Sequence, residues 1–391
     1  MFAKKPLVII VFTLLALIFV NSATEAQTSS VFVAGLKSPS KIIYVPQPGY
    51  FLVSEGGDVA IPNSGRISLI TEQGARFTLL DGLPSGPATP NGDASGPSAM
   101  WLEGDHLFIA IGSGNEVLNG PFPGTEIPNP NPNSPLFSSV LVLLFHHDGF
   151  QPGSYNYQLL PADHARLASG ETVILGNNTP RAALRLVGNF PDFVPEPRPN
   201  FAGNVRSSNP FGIVFTANTI YVSDAAQNMV RTVNPITGAI GTFIAFPPRP
   251  NPNMPPIPPV VEAVPDGLRL FGNQLLVPLL TGAPFISGFA EVRSIDLTKG
   301  TNSPFIGGLS SAIDVLPVSC GNACNRFYTL EVSTNLSMGA PGRLQRFDTP
   351  NGTPTTIVNN LISPTSMAFH SPSGDIFVTE VFTGRIIRIT P

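Results

Sequence analysis

An internal repeat connects the two ends of this chain. Residues 35–57 read GLKSPSKIIYVPQPGYFLVSEGG and SGRISLI follows shortly after, while residues 359–391 read NNLISPTSMAFHSPSGDIFVTEVFTGRIIRITP. Both stretches contain Ser-Pro, an apolar run, a turn, a second run ending in Glu, and Gly-Arg-Ile, in that order. A repeat of this length indicates a fold built from copies of one supersecondary unit.

The same unit can be followed through the middle of the chain. Six turns precede a first strand, and the second strand of each unit ends at a fixed phase: Glu55, Ile111, Asp224, Leu279, Glu331 and Glu380. The chain has 37 Gly and 43 Pro with only 12% charged residues, which favours many short strands over long surface helices. Short β-branched and aromatic runs between turn formers are typical of antiparallel meanders.

The predicted fold class is all-β, a six-bladed β-propeller of four-stranded antiparallel blades. The sixth unit lacks a fourth strand, but VFVAGL at residues 31–36 has the right pattern and should pair with GRIIRIT, closing the last blade. The propeller should span residues 27–391. Blade two carries a long insertion, at about residues 113–205, in which LRLVGNF (184–190) is the predicted fourth strand and residues 162–169 a short helix.

The first 26 residues have the pattern of a secretory signal peptide. Lys4 and Lys5 precede an apolar run, and small residues near Ala26 suit cleavage there. The alternative is an uncleaved anchor. We therefore expect a secreted or periplasmic bacterial protein with no stable membrane span. A formal net charge of −4 gives no general attraction for nucleic acid.

The two cysteines, Cys320 and Cys324, are separated by three residues. In an exported chain a local disulfide is the favoured interpretation. A metal site is the alternative, although no His or further Cys lies nearby to complete it.

Two Pro-rich loops should lie on one face of the propeller. Residues 119–135 join the second and third strands of blade two, and residues 247–259 lead into blade four. Such segments hold extended conformations without a core of their own. They are interpreted either as a lid or docking surface or as tolerated insertions.

Acidic residues close the second strand in four of the six units. If Glu55, Asp224, Glu331 and Glu380 converged on a channel mouth, they would repel one another unless they bound a cation, so Ca²⁺ is a possible cofactor. Neighbouring turns could add oxygen ligands, and the candidates for the mouth are Asn115, Asn209, Asn228 and Asp266. The structural alternative, in which each acid accepts backbone N–H bonds from its own turn, is favoured for any single residue.

Other catalytic patterns are weak. None of the five His lies in a recognisable nucleophile or metal-binding motif. The recurring Arg66, Arg343 and Arg385 of the Gly-Arg-Ile stretches are predicted to bond neighbouring blades or loop carbonyls.

Several stretches resemble a known family. SNPFGIVF with IYVSDAAQNMVRTVNPITG (208–238), LLTGAPFISGFAEVRSID (279–296) and LISPTSMAFHSPSGDIFVTE (361–380) are similar to the exported ScyD/ScyE proteins. The resemblance implies an NHL-like six-bladed propeller, more distantly similar to gluconolactonase and strictosidine-synthase-like propellers. Leu279, where the family more usually has an acid, departs from the pattern.

Two main functional hypotheses follow from the sequence. The first is a binding or scaffold module that takes a small molecule, a glycan or a protein on its loop-rich face. The second is a Ca²⁺-dependent hydrolase, similar to a lactonase, in which an acid such as Glu55 or Glu331 holds the metal. A structural envelope protein is a third reading, since fold alone does not choose among these functions.

Overall fold

The computed structural model describes residues 27–146, 153–176, 181–255, 257–319, 321 and 325–391. The predicted signal peptide and both cysteines lie outside the described residues. Among these residues strands dominate, with one α-helix at Pro161–Ala168 and a 3₁₀ turn at Leu336–Met338. The all-β class predicted from the sequence is confirmed. Across the described ranges no helix has the length and apolar character needed to cross a bilayer.

The repeated unit folds as an antiparallel meander. In the described part of the chain six sheets contain it, and they are numbered here in chain order. The strands, first to fourth, are: sheet 1, Pro39–Val45, Tyr50–Glu55, Gly65–Thr71, Arg76–Leu83; sheet 2, Pro97–Glu103, His106–Ile111, Ser139–Leu144, Ala182–Asn189; sheet 3, Pro210–Thr216, Thr219–Asp224, Met229–Val233, Ile240–Ala245; sheet 4, Arg269–Phe271, Gln274–Leu279, Ala290–Asp296, Asn302–Leu309; sheet 5, Ala312–Ser319, Asn325–Glu331, Gly342–Phe347, Thr355–Leu361; sheet 6, Pro364–His370, Asp375–Glu380, Arg385–Thr390, Thr28–Val33.

Sheet 6 is assembled from both ends of the chain. Its N-terminal strand, Thr28–Val33, runs antiparallel to Arg385–Thr390, with Thr28 opposite Thr390 and Val31 opposite Ile387. Beyond this strand the Leu36 N–H donates to the Gly384 carbonyl at 3.0 Å. The pairing predicted for residues 31–36 is therefore found, with the regular strand beginning and ending earlier than the sequence indicated.

Hydrogen bonds connect each sheet to the next along the chain and the last sheet to the first. Most of them involve the first strand, so the first strands lie near one another. The bonds are, in order, Ser40 Oγ to the Ser98 carbonyl (2.9 Å), Ser98 Oγ to the Pro210 carbonyl (2.6 Å), Ser223 Oγ to the Asp266 carbonyl, Gly267 N to the Ile313 carbonyl (3.0 Å), Met367 N to Asp314 Oδ2 (3.1 Å) and Thr365 Oγ1 to the Ser40 carbonyl (2.9 Å).

Apolar side chains fill the space between adjacent sheets. Leu52 and Leu69 of sheet 1 pack in one cluster with Ile109 and Leu141 of sheet 2, and all four are buried. The central strands are apolar on both faces because each sheet packs against two neighbours. This explains runs such as VLVLL at residues 140–144, which do not alternate with polar residues.

Short additional strands lie around the sheets. The insertion contributes Val117–Asn119, Glu126–Pro128, Phe193–Pro195 and Val205–Ser207, which form a small sheet of their own. Val173–Leu175 and Tyr157–Gln158 extend sheets 2 and 1, and two hairpins pair Gly86–Ala88 with Asp93–Ser95 and Arg249–Pro250 with Val260–Val261. The predicted fourth strand at 184–190 and the short helix at 162–169 are both found, at Ala182–Asn189 and Pro161–Ala168.

Candidate functional site

One hydrogen bond recurs at the same place in all six sheets. The residue after the second strand donates its N–H to the carbonyl of a residue in the turn that precedes the first strand. The six bonds are Gly56 to Ser38, Gly112 to Gly96, Ala225 to Asn209, Leu280 to Val264, Val332 to Ser311 and Val381 to Ser363. In three of these turns the accepting Ser has a left-handed backbone, with φ of 52° at Ser38 and 47° at Ser311 and Ser363.

The acid at the end of the second strand supports this turn. Glu55 is fully buried and accepts the Lys37 N–H at 2.5 Å, the Ser68 hydroxyl, and Arg76 Nη2 at 2.8 and 2.9 Å. Its carboxylate therefore caps the turn before the first strand while an arginine of the same sheet neutralises it. Hydrogen bonds to a charged acceptor are the stronger kind, which suits a position that holds two strands together.

The other three acids have the same two kinds of partner. Each accepts a backbone N–H from its own turn and an arginine of its own sheet: Asn209 N (2.9 Å) and Arg231 Nε (2.9 Å) for Asp224, Ser310 N (2.5 Å) and Arg343 for Glu331, Ile362 N (2.7 Å) and Arg385 Nη2 (2.6 Å) for Glu380. The four carboxylates have separate partners rather than one common centre. Among the described residues no group of three or more His, Cys, Asp or Glu is placed to hold a metal ion.

The arginines of the Gly-Arg-Ile stretches act within their own sheets. Arg343 and Arg385 pair with the acids described above, and Arg66 donates two hydrogen bonds to Asp81 on the neighbouring strand, at 3.2 and 2.9 Å. The prediction that they bond neighbouring blades or loop carbonyls is wrong. The acid and the arginine face each other across adjacent antiparallel strands, where side chains on one face come into contact.

A groove crosses the face of the molecule at which the first strands begin. It consists of a central cavity of about 400 Å³ that shares Glu126, Ser207 and Asn209 with a cavity of about 410 Å³ on one side. On the other side it shares Ser38 and Phe382 with a third cavity of about 440 Å³. We call the three cavities together the mouth groove.

Many of the residues that line the central cavity carry a hydroxyl group, and apolar residues lie among them. Eight hydroxyl side chains contribute: Ser38, Ser40, Thr89, Ser95, Ser98, Ser113, Ser207 and Thr365. Several of them already donate to backbone carbonyls, as Ser40, Ser98 and Thr365 do at the junctions between sheets. A hydroxyl that donates its single proton keeps acceptor lone pairs, so this wall offers neutral hydrogen-bonding groups at fixed positions.

Aromatic rings and two carboxylates complete the central cavity. Phe211 and Phe382 line it, and Phe382 is 66% exposed although it is a large apolar residue. Asp93 and Glu126 are the acids in the lining, and Glu126 accepts hydrogen bonds from the Ser207 backbone (2.9 Å) and hydroxyl (3.3 Å). An exposed ring beside fixed polar groups is typical of a site for a ligand with both apolar and polar faces.

The side cavity that shares Glu126 is charged. Arg206 pairs there with Glu196 at 2.7 Å and with Glu262 at 3.2 Å, and Glu262 also accepts a hydrogen bond from Asn228. The side-chain Oδ1 of Asn228 accepts the Val264 N–H at 2.8 Å. This network connects sheet 3 to the segment before sheet 4 and fixes that wall of the mouth groove.

The predicted amide and acid candidates have different positions. Asn209 lines two cavities of the mouth groove and Asn228 lines one. Asn115 instead bonds to the Pro-rich loop, where its side chain accepts the Asn133 N–H at 2.9 Å. Asp266 is buried, and its Oδ2 has no hydrogen-bond partner among the described residues. Burial raises the pKa of Asp266 well above its usual range.

Glu116 is a buried carboxyl that sequence reasoning did not single out. Burial, the main cause, raises its pKa to about 10. Its Oε2 lies 2.6 Å from the Ser138 hydroxyl, which also lies 3.0 Å from the Ser208 carbonyl. Ser138 has one proton and the carbonyl can only accept. Both contacts are satisfied when Ser138 donates to Ser208 and a protonated Glu116 donates to Ser138.

We expect Glu116→Gln to stabilise the protein at pH 8 and to have less effect at pH 5. The glutamine amide can donate to Ser138 and accept from the Ser208 N–H at any pH, whereas the carboxyl must bind a proton before it can donate. In the wild type the unfolded carboxyl ionises above its ordinary pKa of 4.5 while the folded one stays protonated, so stability falls as pH rises towards about 10. Thermal melts at the two pH values test this, with the exposed Glu103→Gln as control. A lower melting temperature for Glu116→Gln at pH 8 contradicts it.

A serine and a histidine form a buried pair that also escaped sequence reasoning. Ser134 Oγ lies 2.8 Å from His164 Nδ1, and His164 Nε2 lies 2.9 Å from the Gly82 carbonyl. The carbonyl needs a donor, so Nε2 holds the proton and Nδ1 accepts from Ser134. Both side chains are 2% exposed and neither lines the mouth groove. The pair fastens the inserted helix to sheet 1.

A cluster of three charged side chains lies on the first strands of three sheets. Asp314 of sheet 5 accepts two hydrogen bonds from Arg269 of sheet 4, at 2.9 and 2.6 Å, and lies 3.8 Å from Lys41 Nζ of sheet 1. We call these three residues the axial ion cluster. Sequence reasoning gave no sign of it because the three residues come from different repeats and each repeat contributes a different residue type.

Comparison with known proteins finds similar solved structures at low sequence identity. Solved structures similar to this chain include an auxiliary nutrient binding protein from Bacteroides thetaiotaomicron, with 10% identity, a TM-score of 0.50, and coverage of 93% of this chain and 76% of that one. A gluconolactonase from Xanthomonas campestris has 11% identity, a TM-score of 0.48 and coverage of 93% and 89%. Streptogramin B lyase has 12% identity, a TM-score of 0.44 and coverage of 93% and 97%.

The structural neighbours are β-propeller proteins. At such low identity the likeness extends to the fold alone. No family model matches the chain and no curated protein is significantly similar to it, so the resemblance to the ScyD/ScyE family stays a prediction.

Proposed function

We propose that this chain is an exported six-bladed β-propeller that binds a neutral glycan along the mouth groove. The blade count is supported by the six meander sheets and by the hydrogen bonds that join each sheet to the next and sheet 6 to sheet 1. The signal-peptide pattern of residues 1–26 supports export to the periplasm or the exterior. The ScyD/ScyE resemblance is consistent with both points.

The observation that supports glycan binding most directly is the chemistry of the central cavity. Its eight hydroxyl side chains present neutral hydrogen-bonding groups, mostly acceptors, at fixed positions, and Phe211 and Phe382 present apolar surface beside them. A sugar ring has hydroxyls at its edge and C–H groups on its faces, so it can meet both kinds of surface at once. The neighbouring cavities extend the groove beyond one sugar unit, which favours an oligosaccharide over a monosaccharide.

The metal-dependent hydrolase hypothesis has less support than glycan binding. A metal-dependent lactonase needs carboxylates with free lone pairs around one point. The four recurring acids are each buried against an arginine and a backbone N–H of their own sheet. The proposal therefore gives these acids a structural role.

The test is calorimetric titration of the protein beginning at Gln27 with cellohexaose, maltohexaose and chitohexaose. We expect one of these neutral oligosaccharides to bind, and Phe382→Ala to weaken that binding about 5-fold or more through loss of the stacked ring. Ile236→Ala is the matched control because Ile236 is 86% exposed and lies outside the mouth groove.

Two outcomes would count against the proposal. One is the absence of binding to every oligosaccharide, and the other is equal weakening by Phe382→Ala and Ile236→Ala. Hydrolysis of a lactone or an ester that stops on addition of a chelator would instead favour the metallo-hydrolase hypothesis.

A further inference from the structure

A separate cavity, of about 250 Å³, lies at the end of the first strands opposite to the mouth groove. Along sheet 1 the mouth groove is lined by Ser40, whereas this cavity is lined by Lys41, Ile43 and Val45. Sheet 2 gives the same order, with Ser98 in the mouth groove and Trp101 in this cavity. The two cavities therefore lie at opposite ends of the same strands. We call the second one the axial cavity.

The walls of the axial cavity are mostly apolar. Ile43, Val45, Met100, Leu102, Ile213 and Leu268 line it together with the indole of Trp101. Its charged side chains are Lys41 and Arg269, both members of the axial ion cluster. It contrasts with the central cavity of the mouth groove, where eight lining residues carry a hydroxyl and the charged residues are the acids Asp93 and Glu126.

The axial ion cluster has one more positive charge than negative. Asp314 gives both oxygens to the Arg269 guanidinium and also accepts the Ser366 hydroxyl and the Met367 N–H. These bonds use the lone pairs that a carboxylate can offer. The pairing leaves the charge of Lys41 unmatched.

Lys41 is buried without a hydrogen bond for its ammonium group. Its side chain is 8% exposed, Asp314 Oδ2 lies 3.8 Å away, and Nζ donates to no described residue within hydrogen-bond distance. The mostly apolar walls of the cavity offer this ammonium no hydrogen-bond acceptor, so an anion in the cavity would be stabilised by it. Burial lowers the pKa of Lys41 to about 8. The group is therefore in need of an anionic acceptor.

We propose that the axial cavity binds a small monocarboxylate with an apolar tail, whose carboxylate accepts hydrogen bonds from Lys41. One unmatched positive charge fits one carboxylate, and the apolar walls fit the tail. A phosphate dianion fits less well, because it would add two charges to a cluster that lacks one. This site is separate from the mouth groove and does not depend on the function proposed for that groove.

The chain supplies its own probe for this site. Trp101 is the only tryptophan in the sequence and it lines the axial cavity. Titration of the protein beginning at Gln27 with sodium hexanoate, followed by tryptophan emission and by calorimetry, should show saturable binding. Hexanamide has the same shape without the charge, so it should bind at least 10-fold more weakly, since a hydrogen bond to an ionised group is lost.

Variants at Lys41 test whether its ammonium is the donor to the ligand carboxylate. Lys41→Met should weaken hexanoate binding about 10-fold or more, and Lys41→Arg, which keeps the charge, should retain more of it. Ile236→Ala, at an exposed position outside both the mouth groove and the axial cavity, should leave hexanoate binding unchanged. Equal binding of hexanoate and hexanamide, or unchanged binding in a folded Lys41→Met protein, overturns the proposal. If Lys41→Met does not fold, the comparison of the two ligands on the wild type still decides it.

Discussion

Replacement of Asp314 by alanine should lower the free energy of unfolding by about 3–5 kcal/mol, which is the usual cost of removing one partner from a buried ion pair. Asp314 is 1% exposed and is the only acid of the axial ion cluster. Without it Arg269 and Lys41 remain as two neighbouring buried cations, and the Met367 N–H loses its acceptor. Urea denaturation followed by circular dichroism measures the loss.

A triple variant separates the charge effect from the packing effect. Asp314→Leu combined with Arg269→Met and Lys41→Met removes all three charges together and fills the space with apolar atoms. Buried ion clusters replaced in this way are often as stable as the original or more so. We expect the triple variant to recover most of the stability lost in Asp314→Ala. A triple variant no more stable than the single one would show that the cluster stabilises the fold by more than its charge balance.

Truncation of Leu36 should be the second large perturbation. Leu36→Ala should cost about 2–5 kcal/mol, since a buried leucine is replaced by a cavity. Leu36 is 4% exposed and packs in one cluster with Ile42 of sheet 1 and Phe377 of sheet 6, so it fastens the N-terminal segment across two sheets. Thermal melting of the purified protein measures the change.

Val31→Ala is the control for this prediction. Val31 lies on the same segment and pairs with Ile387, but its side chain is 52% exposed. Its truncation should change the free energy of unfolding by about 0.5 kcal/mol or less. Equal effects of the two substitutions would mean that the N-terminal segment contributes little to the stability of sheet 6.

The sequence predicted the sheets well because their signals are local and repeated. The turns at Ser38, Ser311 and Ser363 and the strand after each could be read from residues within one unit, and so could the pairing of residues 31–36 with the last strand. The fourth strand of the second unit, predicted at residues 184–190, also has a strand-like apolar pattern although it lies within the long insertion. These elements are all found, although the N-terminal strand, Thr28–Val33, begins and ends earlier than predicted.

The site was predicted less well, because its chemistry depends on contacts between units. Glu331 and Arg343 both recur with the repeat, but the acid was interpreted as a turn cap or a metal ligand and the arginine as a partner of other blades or loop carbonyls, so their pairing within one sheet was missed. The axial ion cluster combines single residues from three units, and the mouth groove combines serines that are unremarkable in any one of them. A repeat pattern reveals what the units share and hides what only one unit contributes.

The pairing of Thr28–Val33 with Arg385–Thr390 has a consequence for biosynthesis. A strand made early in translation can find its partner only after the ribosome has added residue 390. Until then the outer strand of sheet 6 has no neighbour, and an incomplete chain released from the ribosome would present an unpaired edge to proteases. Completion of synthesis is thereby coupled to completion of the fold, so truncated products should be degraded in preference to the full-length chain.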